Sequence, residues 1–146
     1  MKEILSTERL ILREMSMDDL PSMRKIVKDK HTMYAWGHAW SEEETVAGLE
    51  KQLHAYQEDG YGRWAVVLRE NSFVIGMCGL LWQETDKDRV PEIGYLFNRA
   101  SVVLPPLRPL SKAPRSAELT GCPLYEMLHK TQQKYTQKLT LKVLPS

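Results

Sequence analysis

The chain has 146 residues, 42% of them hydrophobic and 27% charged, with a net charge of +1, which is the length and composition of one domain that buries a core. No apolar run approaches the roughly 20 residues of a membrane span. Charges interrupt the apolar residues of the N-terminal MKEILSTERLILRE, which excludes a secretory signal there and predicts a cytoplasmic protein with no membrane contact.

Residues 7–13, TERLILR, read as a strand with Leu10 and Leu12 on one face and Arg9, Ile11 and Arg13 on the other. Ser16 opens a helix, with Asp19 as a weaker form of the capping box and Leu20, Met23, Ile26 and Val27 as its apolar face. An aromatic loop follows at 31–40. Ser41 and Glu44 form a capping box for a second helix, whose buried stripe is Val46, Leu49, Leu53 and either Tyr56 or His54. Asp59-Gly60 ends that helix. Residues 63–68 and 73–82 then read as strands joined by a turn at 70–72, residues 85–88 as a charged hairpin turn, and 92–97 as another strand. The expected order is β-α-α-β-β-β, with antiparallel hairpins in its second half.

The character of the chain changes near residue 100. Residues 1–100 carry 13 Lys/Arg against 17 Asp/Glu, whereas 101–146 carry 7 against 2 and hold six of the eight prolines. Two segments are expected: a folded unit at 1–99 and an atypical basic, proline-rich tail at 100–146. Lys130, Lys134, Lys138 and Lys142 recur every four residues. As a helix they would form a basic stripe able to touch nucleic acid or acidic lipid. Few apolar residues accompany them, so a solvated tail is the preferred reading and nucleic-acid binding ranks last. Cys78 and Cys122 lie on opposite sides of the break. They lack the histidine spacing of a zinc site, and no metal is expected; a disulfide between them is disfavoured in a reducing compartment.

TERLILR followed by a short helix, then GRWAVVLRENSFVIGMCGL and EIGYLFNR, resembles the GNAT superfamily of acetyl-CoA-dependent N-acetyltransferases over residues 5–99. Within it, the chain looks most like the branch related to enzymes that acetylate ribosomal-protein N-termini. The resemblance implies an α/β (α+β) fold, here an incomplete GNAT acyl-CoA N-acyltransferase fold with a mixed, mostly antiparallel sheet and flanking helices. It also implies acetyl transfer from acetyl-CoA to a primary amine. In the family, backbone groups of the fourth strand bind the pantetheine arm like an added strand. The matching strand is 92–97, which puts Tyr95, Leu96 and Phe97 beside the cofactor. Gly94 suits a bulge or, equally, close packing.

The resemblance implies two further roles. Glu92, at the beginning of that strand, is the candidate general base that takes the proton of the attacking amine; the alternative is an ordinary surface glutamate. Trp36, with Tyr34 and Trp40, sits where relatives place the acceptor, and Trp82 could line the same pocket; the alternatives are a hydrophobic lid and core packing.

The sequence departs from the family after residue 99. The Gly-x-Gly/Ala loop that holds the cofactor's pyrophosphate at a helix N-terminus is absent, because no glycine lies between Ala100 and Thr120. A truncated or frameshifted ending and a genuine alternative ending both remain open, with the frameshift preferred. Weak acetyl-CoA binding is expected in either case. The partners expected are a small-molecule or peptide amine and, through an exposed sheet edge, a second copy of the chain. The alternative function is a non-catalytic remnant or interaction module.

Overall fold

The computed structural model describes residues 1–84 and 89–102, with the side chains of 81–93 and 102 outside the description. The expected turn at 85–88 and most of the tail fall outside it.

The N-terminus forms a hairpin of β1 (Glu3–Ser6) and β2 (Leu10–Arg13), so the strand expected at 7–13 begins only at Leu10 and an unexpected strand precedes it. The Thr7 hydroxyl makes the turn by accepting the Leu10 N–H at 3.0 Å. A 3-10 turn at Met17–Asp19 leads into α1 (Leu20–Val27), and α2 spans Glu42–Glu58. The helix expected to open at Ser16 is therefore α-helical only from Leu20. Half of its expected capping box is present: the Ser16 N–H donates to the Asp19 carboxylate at 2.9 Å, while the Ser16 hydroxyl is buried with no hydrogen-bond partner. At α2 the box is complete, with the Glu44 N–H donating to the Ser41 hydroxyl at 3.1 Å and the Ser41 N–H to the Glu44 carboxylate at 2.7 Å.

Three strands follow: β3 (Arg63–Leu68), β4 (Val74–Glu84) and β5 (Arg89–Phe97). The sheet order is β1-β2-β3-β4-β5, and every described pairing is antiparallel, so the mixed component expected of the sheet is not among the described strands. The register shifts between Val66 and Val67, which makes Ile75 an extra residue on β4. By contrast, β4 and β5 pair without a shift from Gly76↔Phe97 to Glu84↔Arg89. The bulge considered at Gly94 is therefore absent from this ladder, and Gly94 sits directly opposite Gly79. Pro91, which has no N–H, is tolerated because β5 is the edge of the described sheet.

The sheet has a core on each face. On one, Leu10, Leu12, Trp64, Val66, Leu68, Cys78 and Leu80 pack together. On the other, Ala65, Val67, Met77 and Leu96 pack beneath Met23, Ile26 and Val27 of α1 and Leu49 of α2. The alternation along β3 assigns odd-numbered residues to the helix-covered face. His54 is exposed and meets Glu58 at 3.4 Å, so Tyr56 takes the buried position on α2.

β2 is joined to the start of α1 by a nearly buried ion pair. Arg13 donates two hydrogen bonds of 2.8 Å to Asp19. Burial alone would raise the Asp19 carboxyl, but the bonds from Arg13 and from the Ser16 N–H outweigh it and hold the carboxyl below its ordinary value. A depressed carboxyl contributes stability that is complete above the unfolded value of about 4 and is lost as pH falls through the folded one. Asp19→Asn should cost about 3 kcal/mol at pH 7, because it leaves Arg13 buried without its partner. In urea unfolding at pH 3 to 7, the gap between wild type and variant should narrow below about pH 4; a gap independent of pH would remove this linkage.

A close approach fixes the other end of the sheet. A β-carbon on Gly79 would meet the Cα of Arg63 at 2.6 Å and crowd the Gly62 carbonyl, both backbone. The chain entering β3 therefore leans over β4, which only glycine permits. Gly79→Ala should lower stability by about 3 kcal/mol through overpacking, read as a drop in the thermal or urea midpoint. A change below about 0.5 kcal/mol, the scale of an unconstrained surface position, would show that the approach relaxes.

Candidate active site

Polar side chains gather at the start of β3, under the helix-covered face. Two side chains of α2 clamp the backbone of Arg63. Gln52 accepts the Arg63 N–H at 2.8 Å, and the Tyr56 hydroxyl donates to the Arg63 carbonyl while accepting the Met15 N–H at 3.3 Å. Gln52 and Tyr56 are four residues apart, so one face of α2 presents both. Burial raises the Tyr56 hydroxyl well above its ordinary value, which keeps it a donor.

The Arg63 side chain is 9% exposed and lies under the loop between the helices, its guanidinium carbon 4.9 Å from the centroid of the Trp36 ring. Burial lowers the guanidinium from its ordinary value, and among the described residues no carboxylate forms an ion pair with it. The loop divides its aromatics. Tyr34 and Trp36 are exposed, at 87% and 40%. Trp40 instead turns inward, packs against the helix-face core and lies over Gly48 of α2. The lid reading thus fits Trp40, whereas Tyr34 and Trp36 stand at the surface of the loop.

On β5, Tyr95, Leu96 and Phe97 stand opposite Cys78, Met77 and Gly76. Their side chains do not converge. Leu96 is buried in the helix-face core, whereas Tyr95 and Phe97 lie on the other face with ring centroids 6.2 Å apart. What the three residues share is backbone: one edge pairs with β4, and the other has no strand partner among the described residues. Glu92 and Trp82 are in the β4–β5 ladder, opposite Leu81 and Pro91, and their side chains fall outside the described residues. After β5, Asn98 begins α3 (Arg99–Val102), its side-chain oxygen accepting the Ala100 N–H at 3.0 Å.

The residues missed in the sequence are Arg63, Gln52 and Tyr56 in its polar role. The available signal was the i, i+4 pairing of Gln52 with Tyr56 on the face that also carries Leu49 and Leu53, which puts two polar groups toward the sheet.

Cys78 is buried on the face opposite the helices, and desolvation pushes its thiol up to about 12. Such a thiol cannot serve as a transient acyl carrier at neutral pH. In a Cys122→Ser chain, alkylation of Cys78 at pH 8 should be slower in the native state than in urea by about 10³-fold. Similar rates would show that the thiol is accessible.

A family model for the GNAT acetyltransferase domain matches residues 9–102. The fold is similar to that of an acetyltransferase from Agrobacterium tumefaciens str. C58, with 25% identity and a TM-score of 0.54 over 65% of this chain and 54% of that one. It is also similar to a GNAT-family acetyltransferase from Bacillus anthracis, with 18% identity and a TM-score of 0.59 over 92% of this chain and 66% of that one. The chain thus spans between half and two thirds of these two proteins' length. Among the described residues, no helix is long and apolar enough to cross a membrane and no cluster of His, Cys, Asp or Glu could hold a metal ion.

Proposed function

This chain belongs to the GNAT acetyltransferase family, and from that premise we propose that it transfers acetyl from acetyl-CoA to a primary amine, in a reaction weakened here by the missing Gly-x-Gly/Ala loop. The observation that carries the reading is the outer edge of β5, a run of backbone donors and acceptors with no strand partner among the described residues. That edge fits an extended pantetheine arm, which would bind as an added strand. The segment beyond Phe97 does not fit the pyrophosphate as well, since Asn98 leads directly into α3 and no glycine follows before Gly121.

When bound, acetyl-CoA supplies the thioester acetyl group. The chain's own part is to align and deprotonate the amine. Tyr34 and Trp36 at the rim of the α1–α2 loop offer apolar contact to the acceptor. Glu92, on the same strand as the cofactor edge, takes the amine's proton directly or through water and keeps it nucleophilic. Tyr95, Leu96 and Phe97 act through their backbone groups. The reaction is assigned to the cytoplasm, with a small-molecule or peptide amine as acceptor.

Calorimetric titration of the full chain with acetyl-CoA should give a dissociation constant of roughly 0.1 mM or weaker; a micromolar value would overturn the weakening. Replacing residues 103–146 with the corresponding segment of a family member that carries the glycine loop should tighten binding and yield acetylated amine. In that protein, Glu92→Gln should slow single-turnover transfer by roughly 10²–10⁴-fold with cofactor affinity unchanged. A folded graft inactive across a broad amine panel would sink the enzyme reading.

The same free edge favours a second reading, in which β5 pairs with another copy of the chain and the protein is a non-catalytic interaction module. Light scattering distinguishes the two, because acetyl-CoA dissociates an edge-paired dimer only if both use β5.

A further inference from the structure

Among the described residues, Arg63 is a charged side chain buried without a counter-charge. Ionised groups in protein interiors are normally paired, because desolvation is costly. Arg13, the other arginine that the fold largely encloses, follows that rule by pairing with Asp19. Arg63 instead has the Trp36 ring against its guanidinium, and no described carboxylate or carbonyl accepts a hydrogen bond from that group. An aromatic face compensates part of the charge, and the in-plane N–H donors of the fork remain available for a planar, bidentate anion. The side chain is also held in place, since Gln52 and Tyr56 bind both polar groups of its backbone.

We infer that Arg63 and Trp36 form a carboxylate subsite for the acceptor, which makes that acceptor an amino acid or short peptide carrying a carboxylate a few bonds from its amine. Position excludes the cofactor's pyrophosphate as the anion. Arg63 registers with Gly79, and Gly79 with Gly94. Gly94 lies four residues before Asn98, hence roughly 13 Å along β5 from the end where the pyrophosphate would sit. Across the sheet, β3 and β5 are separated by one strand, roughly 10 Å. The lean of residues 62–63 over Gly79 carries Arg63 into that interval.

This assignment rests on the acetyl-transfer reading for the amine's role, and its test is direct binding. The full chain is titrated with alanylglycine and with alanylglycinamide, following Trp36 by fluorescence or the heat of binding. The free carboxylate should bind about 10- to 100-fold more tightly than the amide, the strength of charged hydrogen bonds. Arg63→Met should abolish that preference, and Arg63→Lys should keep part of it. Trp36→Leu, at an exposed loop position, should weaken the preference without unfolding the protein. Equal binding of acid and amide, no binding of either at tens of millimolar, or a preference that survives in Arg63→Met would each overturn the inference. If the preference holds but neither dipeptide is acetylated, the subsite stands and the enzyme reading fails. If both are acetylated at equal rates, the enzyme reading stands and the subsite falls.

Discussion

The Tyr56 hydroxyl, shared between the Met15 N–H and the Arg63 carbonyl, is the contact on which the described architecture turns. It ties the exit from β2, 41 residues earlier in the chain, to the last turns of α2 and the entry into β3. Gln52, one helical turn earlier, holds the N–H of the same arginine. A strand entry that would otherwise have loose polar groups is thereby satisfied from above. Such satisfaction is needed because residues 61–68 are all buried, and buried backbone groups without partners are costly.

The clamp also sets what the helices can do. α1 and α2 cover the helix face through Met23, Ile26, Val27 and Leu49, and their mutual position is reinforced where Glu42 accepts from both Arg24 and Lys28 at 2.6 Å. That pair of bonds is half-exposed and contributes modestly. The buried apolar stripe and the Gln52/Tyr56 bonds therefore decide where α2 ends over the sheet. The loop between the helices is held at its far end by Trp40, packed in the core over Gly48. With that ring anchored inward, Trp36 and Tyr34 remain at the rim.

Much of this was legible in the sequence where one local rule sufficed. The Ser41/Glu44 box set the beginning of α2, Asp59-Gly60 its end, and the largely apolar run of residues 63–68 set β3 without error in its bounds. The first strand was misread because the turn at Ser6-Thr7-Glu8-Arg9 contains no Gly, Pro or Asn; the Thr7 hydroxyl substitutes for those residues, and nothing in a run of polar letters announces it. The extra residue on β4 escaped because a bulge is a property of two strands, while Gly94, the glycine that invited one, lies in a ladder without a shift. Arg63 was invisible as a site residue for another reason. An arginine at a strand's first position reads as solvated, and only the tertiary placement of Gln52, Tyr56 and Trp36 buries it.

The two faces of β5 show why residue type alone was a poor guide to the strand proposed to hold the cofactor. Tyr95 and Phe97 invite a reading as a ligand-stacking pair, yet Phe97 lies over Gly76 and joins the core opposite the helices. The Tyr95 ring beside it is 57% exposed. Leu96 serves the helix-face core. Leu96 and Phe97 are thus committed to packing on opposite faces, while the strand's edge offers recognition by backbone, which any sequence supplies. Under the proposed reaction, discrimination among acceptors would fall to side chains that stand beside the edge rather than on it. Of the charged residues buried in the described fold, Asp19 is paired with Arg13, and Arg63 begins β3, two strands from that edge, its backbone held there by Gln52 and Tyr56 of α2.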